Sequence, residues 1–443
     1  MSTRREFVQK AAMGAAGLTL TAKSYSRVLG ANDKVRVGIV GYSDRFRGAL
    51  SPAFLSLAKE QNFEFTAVSD IWNMRRDAAV AFYKERGINL KAYRNNDELF
   101  DAKDTDAVII STADFQHALH CKQAVEAGRD AYVEKPFAET MADARAARQA
   151  VEKSGKIVQI GSQRRSAPNY IAANEYLNSG KFGKIVMVEM TWNVNQPGRW
   201  RRPNEVPKLK EADTDWTRYQ LNRPKAAFDP RKYLEFRLFW PYSSGIPGQW
   251  MAHQIDTVHW FTGISHPRTV AANGGIYLWK DGRSNYDTMT AVMEYVHPKN
   301  PDIAFQVVYS SRFTNSAGGT KEYYFSNGGM LNLDTNKITS EGGLAERDAR
   351  DMNMQANLLQ PFSLPGVTVE TSANTGGDPM TTAHMKNWME CVRSRKKPNA
   401  DVVAGYNHAT ACIMCTAALR TGEKASFDET KQEVLAGGKV FQY

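Results

Sequence analysis

The stretch that decides the fold is VRVGIVGYSDRFRG, residues 35–48. Its first six residues are mostly apolar and β-branched, which predicts a buried strand of a parallel sheet. A turn begins at Gly41, and a helical segment then extends through Lys59. Proteins that bind dinucleotides place the pyrophosphate at the N-terminus of such a helix, directly after a glycine turn. The stretch therefore predicts the dinucleotide-binding half of an α/β fold.

The glycine fingerprint of such sites, G-x-G-x-x-G, is only partly present. Its frame falls on Gly41, Ser43 and Phe46, so only the first glycine is kept. Ser43 can still hydrogen-bond a phosphate, whereas Phe46 is bulky at a position where helix and sheet usually pack closely. By itself the motif is weak, so the prediction depends on the residues that follow.

The next strand adds support for a dinucleotide. FEFTAVS, residues 63–69, ends at Asp70, whose carboxylate can accept both hydrogen bonds of an adenosine ribose diol and would repel a 2′-phosphate. We therefore expect NAD as the cofactor, and the nearby Arg75 and Arg76 keep NADP as an alternative. A second interpretation of Asp70 is that it caps the following helix.

The alternation of strands and helices continues. Residues 107–111 and 130–133 are apolar, strand-like runs, and residues 117–127 between them have a helical pattern. Strands that alternate with helices predict an open parallel sheet of the Rossmann type, which we place over residues 33–155.

The second half of the chain is richer in strands. Strand-like runs, bounded by Gly, Pro and Asn, occur at residues 184–193, 288–295, 303–311 and 321–325. We place a second, α+β domain over residues 156–443. From Thr382 onward the pattern is helical again, and we expect these C-terminal helices to pack back toward the first domain.

Four motifs, in this order along the chain, resemble those of the Gfo/Idh/MocA family. They are STADFQH at residues 111–117, EKP at 134–136, GSQRR at 161–165 and the segment 248–263 around HQID. The family includes inositol dehydrogenases and glucose–fructose oxidoreductase. The resemblance covers residues 33–440, and it implies a second domain with a large, open, mostly antiparallel sheet. One face of that sheet is commonly a subunit interface, which implies a homo-oligomer, either a dimer or a tetramer.

The resemblance also implies the chemistry. It indicates an NAD-dependent oxidoreductase that acts on a CH–OH group of a sugar, glycoside or polyol by hydride transfer. Lys135 is the implied catalytic base, because burial beside a cationic nicotinamide ring would lower its pKa from the usual value of about 10.4. His253 matches the family histidine that shares the acid–base work.

The predicted site extends over both domains. We assign cofactor binding to Gly41, Tyr42, Ser43, Arg45, Asp70, Ser111, Thr112, His117, Glu134 and Lys135, and substrate binding to Arg164, Tyr242, Gln249 and Asp256. Trp240 and Arg237 are further candidates to face a sugar.

The segment around His253 differs from the family pattern at one position and contains a string that could suggest a metal site. Many members carry an aspartate four residues earlier, whereas this chain has Gln249, which can orient a hydroxyl but cannot tune a histidine by charge. Asp256 either contacts substrate or pins the helix. His253, Asp256 and His259 form an H-x-x-D-x-x-H string, but three ligands spread over one helix suit a metal poorly, so we predict no metal site.

Two other functions use the same motifs. A glycosidase that oxidises, eliminates, adds water and reduces would need the same lysine and histidine, and it would differ by having no net redox change. A non-enzymatic sugar-binding protein is suggested by the incomplete glycine fingerprint.

The first 32 residues predict an export signal and linker. Arg4 and Arg5, followed by Glu6-Phe7 and an apolar stretch at residues 11–22, resemble a twin-arginine signal. The apolar stretch is shorter than the roughly 20 residues of a membrane span. We expect export by the twin-arginine machinery to the periplasm or the exterior. Because this route carries folded proteins, the cofactor would be loaded first and held tightly. An N-terminal amphipathic helix that stays attached is the alternative.

Composition narrows the class of protein. With 443 residues, 42% of them hydrophobic and 23% charged, the chain is typical of a two-domain globular protein. The formal net charge is +10, but no basic stripe with interleaved aromatics occurs, which argues against nucleic-acid binding. Cys412 and Cys415 form a CxxC in an alanine-rich helical stretch without a second ligand pair. This favours a buried helix face over a zinc or redox site.

Overall fold

The computed structural model describes residues 33–195, 198, 200–367 and 378–443. The predicted export signal, residues 1–32, lies outside the described residues. The structure confirms the predicted fold class: a parallel Rossmann sheet is followed by a large, mostly antiparallel sheet.

The first sheet has six parallel strands in the order β3-β2-β1-β4-β5-β6. They are β1 (Val35–Val40), β2 (Phe63–Ser69), β3 (Lys91–Tyr93), β4 (Ala107–Ile110), β5 (Asp130–Val133) and β6 (Val158–Ile160). The strand quoted at the outset, β1, lies between β2 and β4, so it is buried on both sides as its apolar run predicts. The sheet extends to Ile160, beyond residue 155, because β6 pairs with β5.

Five helices connect these strands. They are α1 (Ser51–Gln61), α2 (Asn73–Lys84), α3 (Asn96–Asp101), α4 (His117–Glu126) and α5 (Met141–Ser154). A π-helical turn, Phe46–Leu50, precedes α1. This turn directs Phe46 into the core, where its ring centroid lies 5.7 Å from that of Phe65. The bulky residue in the fingerprint therefore fills space that the loop geometry provides.

The second sheet has eleven strands in the order β14-β13-β12-β11-β7-β10-β9-β8-β15-β16-β17. They are β7 (Ile185–Asn193), β8 (Thr269–Gly275), β9 (Thr288–His297), β10 (Asn300–Arg312), β11 (Thr320–Ser326), β12 (Gly329–Asn332), β13 (Lys337–Thr339), β14 (Phe362–Ser363), β15 (Ala425–Asp428), β16 (Glu433–Ala436) and β17 (Lys439–Val440). Among its pairings, β7 with β10 is parallel and the others are antiparallel.

The remaining helices accompany this sheet. They are α6 (Pro168–Asn178), α7 (Trp216–Gln220), α8 (Pro230–Leu234), α9 (Ala252–Thr262), α10 (Glu346–Asp351), α11 (Pro379–Ser394) and α12 (Val402–Thr421). The chain does not end in helix, so that part of the prediction is wrong. Gly422 ends α12 at φ +73°, and the residues after it form β15 to β17, which extend the sheet from β8.

The two C-terminal helices, α11 and α12, are both packed against the rest of the protein. Trp388 of α11 packs on the first domain, with its ring centroid 6.0 Å from those of both Phe63 and Tyr132. Among the described helices, α12 alone is long and apolar enough to cross a membrane, and 83% of its apolar window is buried within the protein, as in a core helix. Cys412 and Cys415 lie on it as buried, free thiols.

A long connection between β7 and α9 crosses from the second domain to the first. We call residues 200–245 the strap; it contains the short helices α7 and α8. The strap lies against the first sheet and lines one side of a cleft there.

Candidate functional site

A cleft of about 850 Å³, part of it open to solvent, lies between the carboxyl edge of the first sheet and the strap. Its lining includes Gly41, Ser43, Asp44, Arg45, Asp70, Arg75, Ser111 and Thr112 from the first domain, and Arg202, Arg218, Tyr219, Tyr233, Phe236 and Arg237 from the strap. In open α/β sheets the carboxyl edge is where ligands bind.

Gly41 makes the turn at the start of this cleft. Its φ is +86°, and a Cβ there would lie 2.8 Å from Thr112 Cγ2 and 3.1 Å from the Ser111 carbonyl oxygen. The Ser111 hydroxyl in turn donates to the Gly41 carbonyl at 2.9 Å. Only glycine satisfies both the positive φ and the close approach of the two strand ends.

Ser43 takes the place of the second glycine. Its Oγ accepts a hydrogen bond from the Phe46 backbone N–H at 3.2 Å, and it lies 3.2 Å from Ser111 Oγ. The hydroxyl therefore holds the start of the π-helical turn and faces the cleft. Neighbouring Asp44 pairs with Arg47 and with Arg202 of the strap.

Asp70 joins the ends of two strands. Its carboxylate accepts the backbone N–H of Tyr42 at 2.8 Å and of Trp72 at 2.9 Å. Burial raises the pKa of Asp70, against the opposing charge of Arg75. The residue thus acts on the turn and on the start of α2, and it also lines the cleft. The ring of Tyr42 lies in the core against Phe46.

Glu134 and Arg45 form a pair at the centre of the sheet edge. The Arg45 Nε donates to Glu134 Oε1 at 2.8 Å, and Glu134 is almost fully buried. Burial raises the pKa of Glu134, but Arg45 and Lys135 outweigh it, so the pKa lies below its usual value. A Cβ at Gly161 would lie 3.0 Å from this carboxylate, so glycine there leaves room for it.

Lys135 follows directly, before the cis peptide bond to Pro136. Its Nζ donates to the backbone carbonyl of Gln249 at 2.8 Å. Burial lowers its pKa to about 8, against the opposing charges of Glu134 and Asp114. An amine with this pKa has a substantial unprotonated fraction near neutral pH, as a general base requires.

His253 lies in the first turn of α9, near Lys135. Its ring packs on Trp192 with centroids 5.6 Å apart. Burial, together with the charges of Lys135 and Arg164, lowers its pKa well below the usual value, so the imidazole is neutral at neutral pH. The structure thus brings the two predicted acid–base residues together from different domains.

His117 lies behind this pair. Its ring nitrogens are 2.8 Å from the Pro136 carbonyl oxygen and 3.2 Å from that of Thr112, and the ring is buried. It connects the loop after β4, whose Thr112 lines the cleft, with the loop after β5, which carries Lys135.

The four predicted substrate residues fall into two groups. Arg164 pairs with Glu322 beside Trp192, and Gln249 lies next to Lys135. In contrast, Tyr242 is buried among other aromatic side chains, and Asp256 is buried in an ion pair with Arg165. Asp256 is fully buried and accepts Arg165 at 2.8 and 2.9 Å, which pins α9. Tyr242 packs among aromatics at 5.6 Å from Phe115.

Several residues around the site were not assigned from sequence. Tryptophans 192, 200 and 250 form a stacked wall beside His253, with Trp192 and Trp250 at 4.7 Å and Trp200 and Trp250 at 6.0 Å. The aromatic- and arginine-rich composition of residues 192–202 was a signal for this wall. Asp114, within the STADFQH motif, reaches Gln249. Within the described ranges, no group of three or more His, Cys, Asp or Glu could hold a metal ion.

Residues 35–162 match the Gfo/Idh/MocA oxidoreductase family model, described as an NAD-binding Rossmann fold. Over 233 residues the chain is 27% identical to inositol 2-dehydrogenase of Salmonella paratyphi B, covering 52% of this chain and 64% of that protein. The chain therefore spans just under two thirds of the length of this curated relative. The first domain is therefore similar to the NAD-binding Rossmann domains of oxidoreductases.

Solved structures share the two-domain fold. An oxidoreductase domain protein from Kribbella flavida superposes with a TM-score of 0.66 at 16% identity, over 90% of this chain and all of that one. The WlbA dehydrogenase from Bordetella pertussis, solved with NADH and UDP-GlcNAcA, gives 0.62 at 16% identity over 89% of this chain and 99% of that one. At these identities the likeness concerns the fold.

Proposed function

We propose that the chain is an NAD-dependent oxidoreductase of the Gfo/Idh/MocA family that acts on a CH–OH group of a sugar, glycoside or polyol. The observation that carries the proposal is that Lys135 and His253 lie near each other at the carboxyl edge of a Rossmann sheet, and that Glu134, next to Lys135, pairs with Arg45 of the cleft. The similarity to an inositol 2-dehydrogenase supports a polyhydroxylated substrate.

The residues of the cleft fit a dinucleotide. The Gly41 turn leaves no room for a Cβ, and the arginines at positions 45, 75, 202 and 237 offer positive charge to a pyrophosphate. Asp70 would repel a 2′-phosphate, which favours NAD over NADP. Ser43, Ser111 and Thr112 add hydroxyl groups at the same edge. When bound, NAD supplies the hydride acceptor.

Lys135 would take the proton of the substrate hydroxyl. Its amine is fixed by the Gln249 carbonyl, and its lowered pKa of about 8 allows it to accept a proton near neutral pH. His253 is held neutral by its surroundings, so it can accept a second hydrogen bond from substrate or relay the proton. The tryptophan wall offers an apolar surface against which the C–H face of a sugar ring can pack.

We further propose that the cofactor is held tightly. The strap contacts the first domain through Arg202 with Asp44, Arg218 with Asp97 at 2.6 Å, and the Tyr219 carbonyl with the Gln116 amide at 2.8 Å. Tyr233 adds a ring contact with Trp72 at 6.2 Å. In this proposal, these contacts slow the release of a dinucleotide that lies beneath the strap.

Tight retention suits the predicted place of work. Export by the twin-arginine route to the periplasm or the exterior would separate the protein from cytoplasmic NAD, so a retained cofactor would have to be regenerated in place. The same retention favours one alternative: an NAD-using glycosidase, whose cycle restores the cofactor without net redox change. We also propose a homo-oligomer assembled through the open sheet.

The nature of the bound nucleotide tests the proposal. The protein is purified without added cofactor and denatured, and the released nucleotide is identified by mass spectrometry and absorbance. Stoichiometric NAD or NADH is expected. An empty protein that also fails to bind added NAD would contradict the proposed function and favour a sugar-binding protein. With nucleotide present, product analysis of an offered glycoside separates oxidation from hydrolysis.

A further inference from the structure

Asp114 is a buried carboxylate beside the proposed catalytic lysine. It begins the single 3₁₀ turn after β4 and is 1% exposed. Its Oδ2 accepts the Ser243 hydroxyl at 2.6 Å and the Gln249 side-chain amide, while Oδ1 is buried and has no hydrogen-bond partner among the described residues. A buried carboxylate with so few donors is costly, so a nearby positive charge must offset it.

Gln249 connects this carboxylate to the lysine. Its side-chain N–H donates to Asp114, its side-chain oxygen accepts Arg237 Nε at 2.9 Å, and its backbone carbonyl accepts Lys135 Nζ. A carboxamide can donate to a carboxylate and accept from a guanidinium at the same time, whereas a glutamate there would face Asp114 with like charge. One residue therefore binds the carboxylate with its side chain and the amine with its backbone.

We propose that Asp114 is a positioning residue for Lys135: through Gln249 it fixes the carbonyl to which the amine donates, and it supplies negative charge that balances the amine. This inference rests on the proposed function of Lys135. The residue contacts neither substrate nor cofactor in this role.

The charges around Lys135 support this assignment. Glu134 and Asp114 are negative, Arg237 and Arg45 are positive, and the uncharged His253, His408 and Cys412 lie nearby. The buried Glu139 faces Asp114, and burial together with the charge of Asp114 raises the pKa of Glu139 to about 7. Glu134 is the stronger opposing charge on Lys135 and is itself paired with Arg45, whereas Asp114 opposes Lys135 and is the strongest of the carboxylates that oppose Arg237. Without Asp114, Lys135 would be opposed by Glu134 alone, and Arg237 would lose the strongest of its opposing charges.

The test compares Asp114→Asn with the unaltered full-length protein. Brief pulses of acetic anhydride across a pH series modify the unprotonated amine of Lys135, and mass spectrometry of its peptide gives the titration midpoint. Loss of the negative charge disfavours the protonated amine, so the midpoint should fall by roughly one pH unit. If Asp114 only maintained packing, its loss would loosen the site, hydrate the amine and raise the midpoint.

Asp143→Asn is the matched control. Asp143 is also a buried carboxylate, but it faces Asn222 and Arg223, away from Lys135. The titration midpoint of Lys135 in Asp143→Asn should equal that in the unaltered protein. An unchanged or raised midpoint in Asp114→Asn would overturn the proposal.

A second variant covers the case in which Asp114→Asn does not fold. Gln249→Met keeps the backbone carbonyl and the side-chain length but removes the link to Asp114. We expect kcat to fall at least tenfold while cofactor stays bound and KM changes little, and an unchanged kcat would overturn the proposal. The labelling midpoint is measured without any enzyme turnover. If the unaltered protein has no activity, the proposed function fails, while the midpoints still test the inference about Asp114.

Discussion

Two places on the carboxyl edge of the first sheet meet their requirements differently: the glycine end, at the turn after β1, and the lysine end, at the loop after β5. At the glycine turn, one glycine of three is kept, and Ser43 and the buried ring of Phe46 take over the roles of the other two. At the lysine end, EKP is intact, and each charge has its own partner: Glu134 with Arg45, and Lys135 with the Gln249 carbonyl. The glycine turn tolerates other residues at its second and third glycine positions as long as Gly41 keeps its positive φ. A group of buried charges, in contrast, depends on every one of its members, because each loss leaves a partner unpaired.

The lysine end should be the more fragile in activity. We expect Lys135→Ala to lower kcat about 10²- to 10⁴-fold, the range for loss of a general base, while the cofactor stays bound. Steady-state rates and nucleotide content of the purified variant measure both effects. Lys122→Ala, which removes a surface ion pair with Glu126, is the control and should retain its activity. Full activity in Lys135→Ala would refute its role as the base.

The glycine turn should be the more fragile in stability. Phe46→Gly restores the third glycine of the fingerprint, yet we expect it to lower the free energy of unfolding by about 4 kcal/mol, because it empties a fully buried site against Phe65. Urea unfolding measures the loss. Phe46→Leu keeps an apolar side chain and should lose less. A Phe46→Gly protein of unchanged stability would mean that this ring is not needed by the turn.

The pH profile sharpens the contrast at the lysine end. Lys135 acts as a base when unprotonated, so kcat/KM for oxidation should rise roughly tenfold per pH unit below about 8 and level off above it. His253, whose pKa lies well below its usual value, should add no titration step between pH 6 and 8. Initial rates between pH 6 and 10, at saturating NAD, measure this profile. A profile that is flat through pH 8 would contradict the assignment.

The smallest effect concerns the strap over the glycine end. Arg202→Ala removes its pair with Asp44, and we expect NAD to dissociate a few-fold faster because a partly exposed pair contributes at most about 1 kcal/mol. Dissociation is followed by loss of nucleotide during dialysis. Arg347→Ala, at an exposed pair with Asp348, is the control. An equal rate in both variants would mean that this contact does not retain the cofactor.

Local patterns in the sequence predicted a good part of this molecule. The strand at residues 35–40 and the glycine turn follow from an apolar run and a single glycine. The roles of Lys135 and His253 were implied by the resemblance of several motifs, in order along the chain, to one family. The contacts of Asp114 with Gln249 and of Arg202 with Asp44 join residues 135 and 158 positions apart, so no local periodicity indicates them. The terminal strands were missed because their runs are short and their strand structure depends on pairing, of β15 with β8 and of β16 and β17 with the strand before them.

The packing of α11 on the first domain affects how the chain is made. Trp388 and Met385 complete the core around Phe54, Phe63 and Tyr132, although more than 200 residues separate α11 from the last strand of that sheet. At ribosomal rates of about 5–20 residues per second, the first domain waits roughly 10–45 s before this helix is synthesised. During that interval an apolar patch stays open to water, so nascent chains are candidates for chaperone binding. A fragment ending at residue 160 should aggregate.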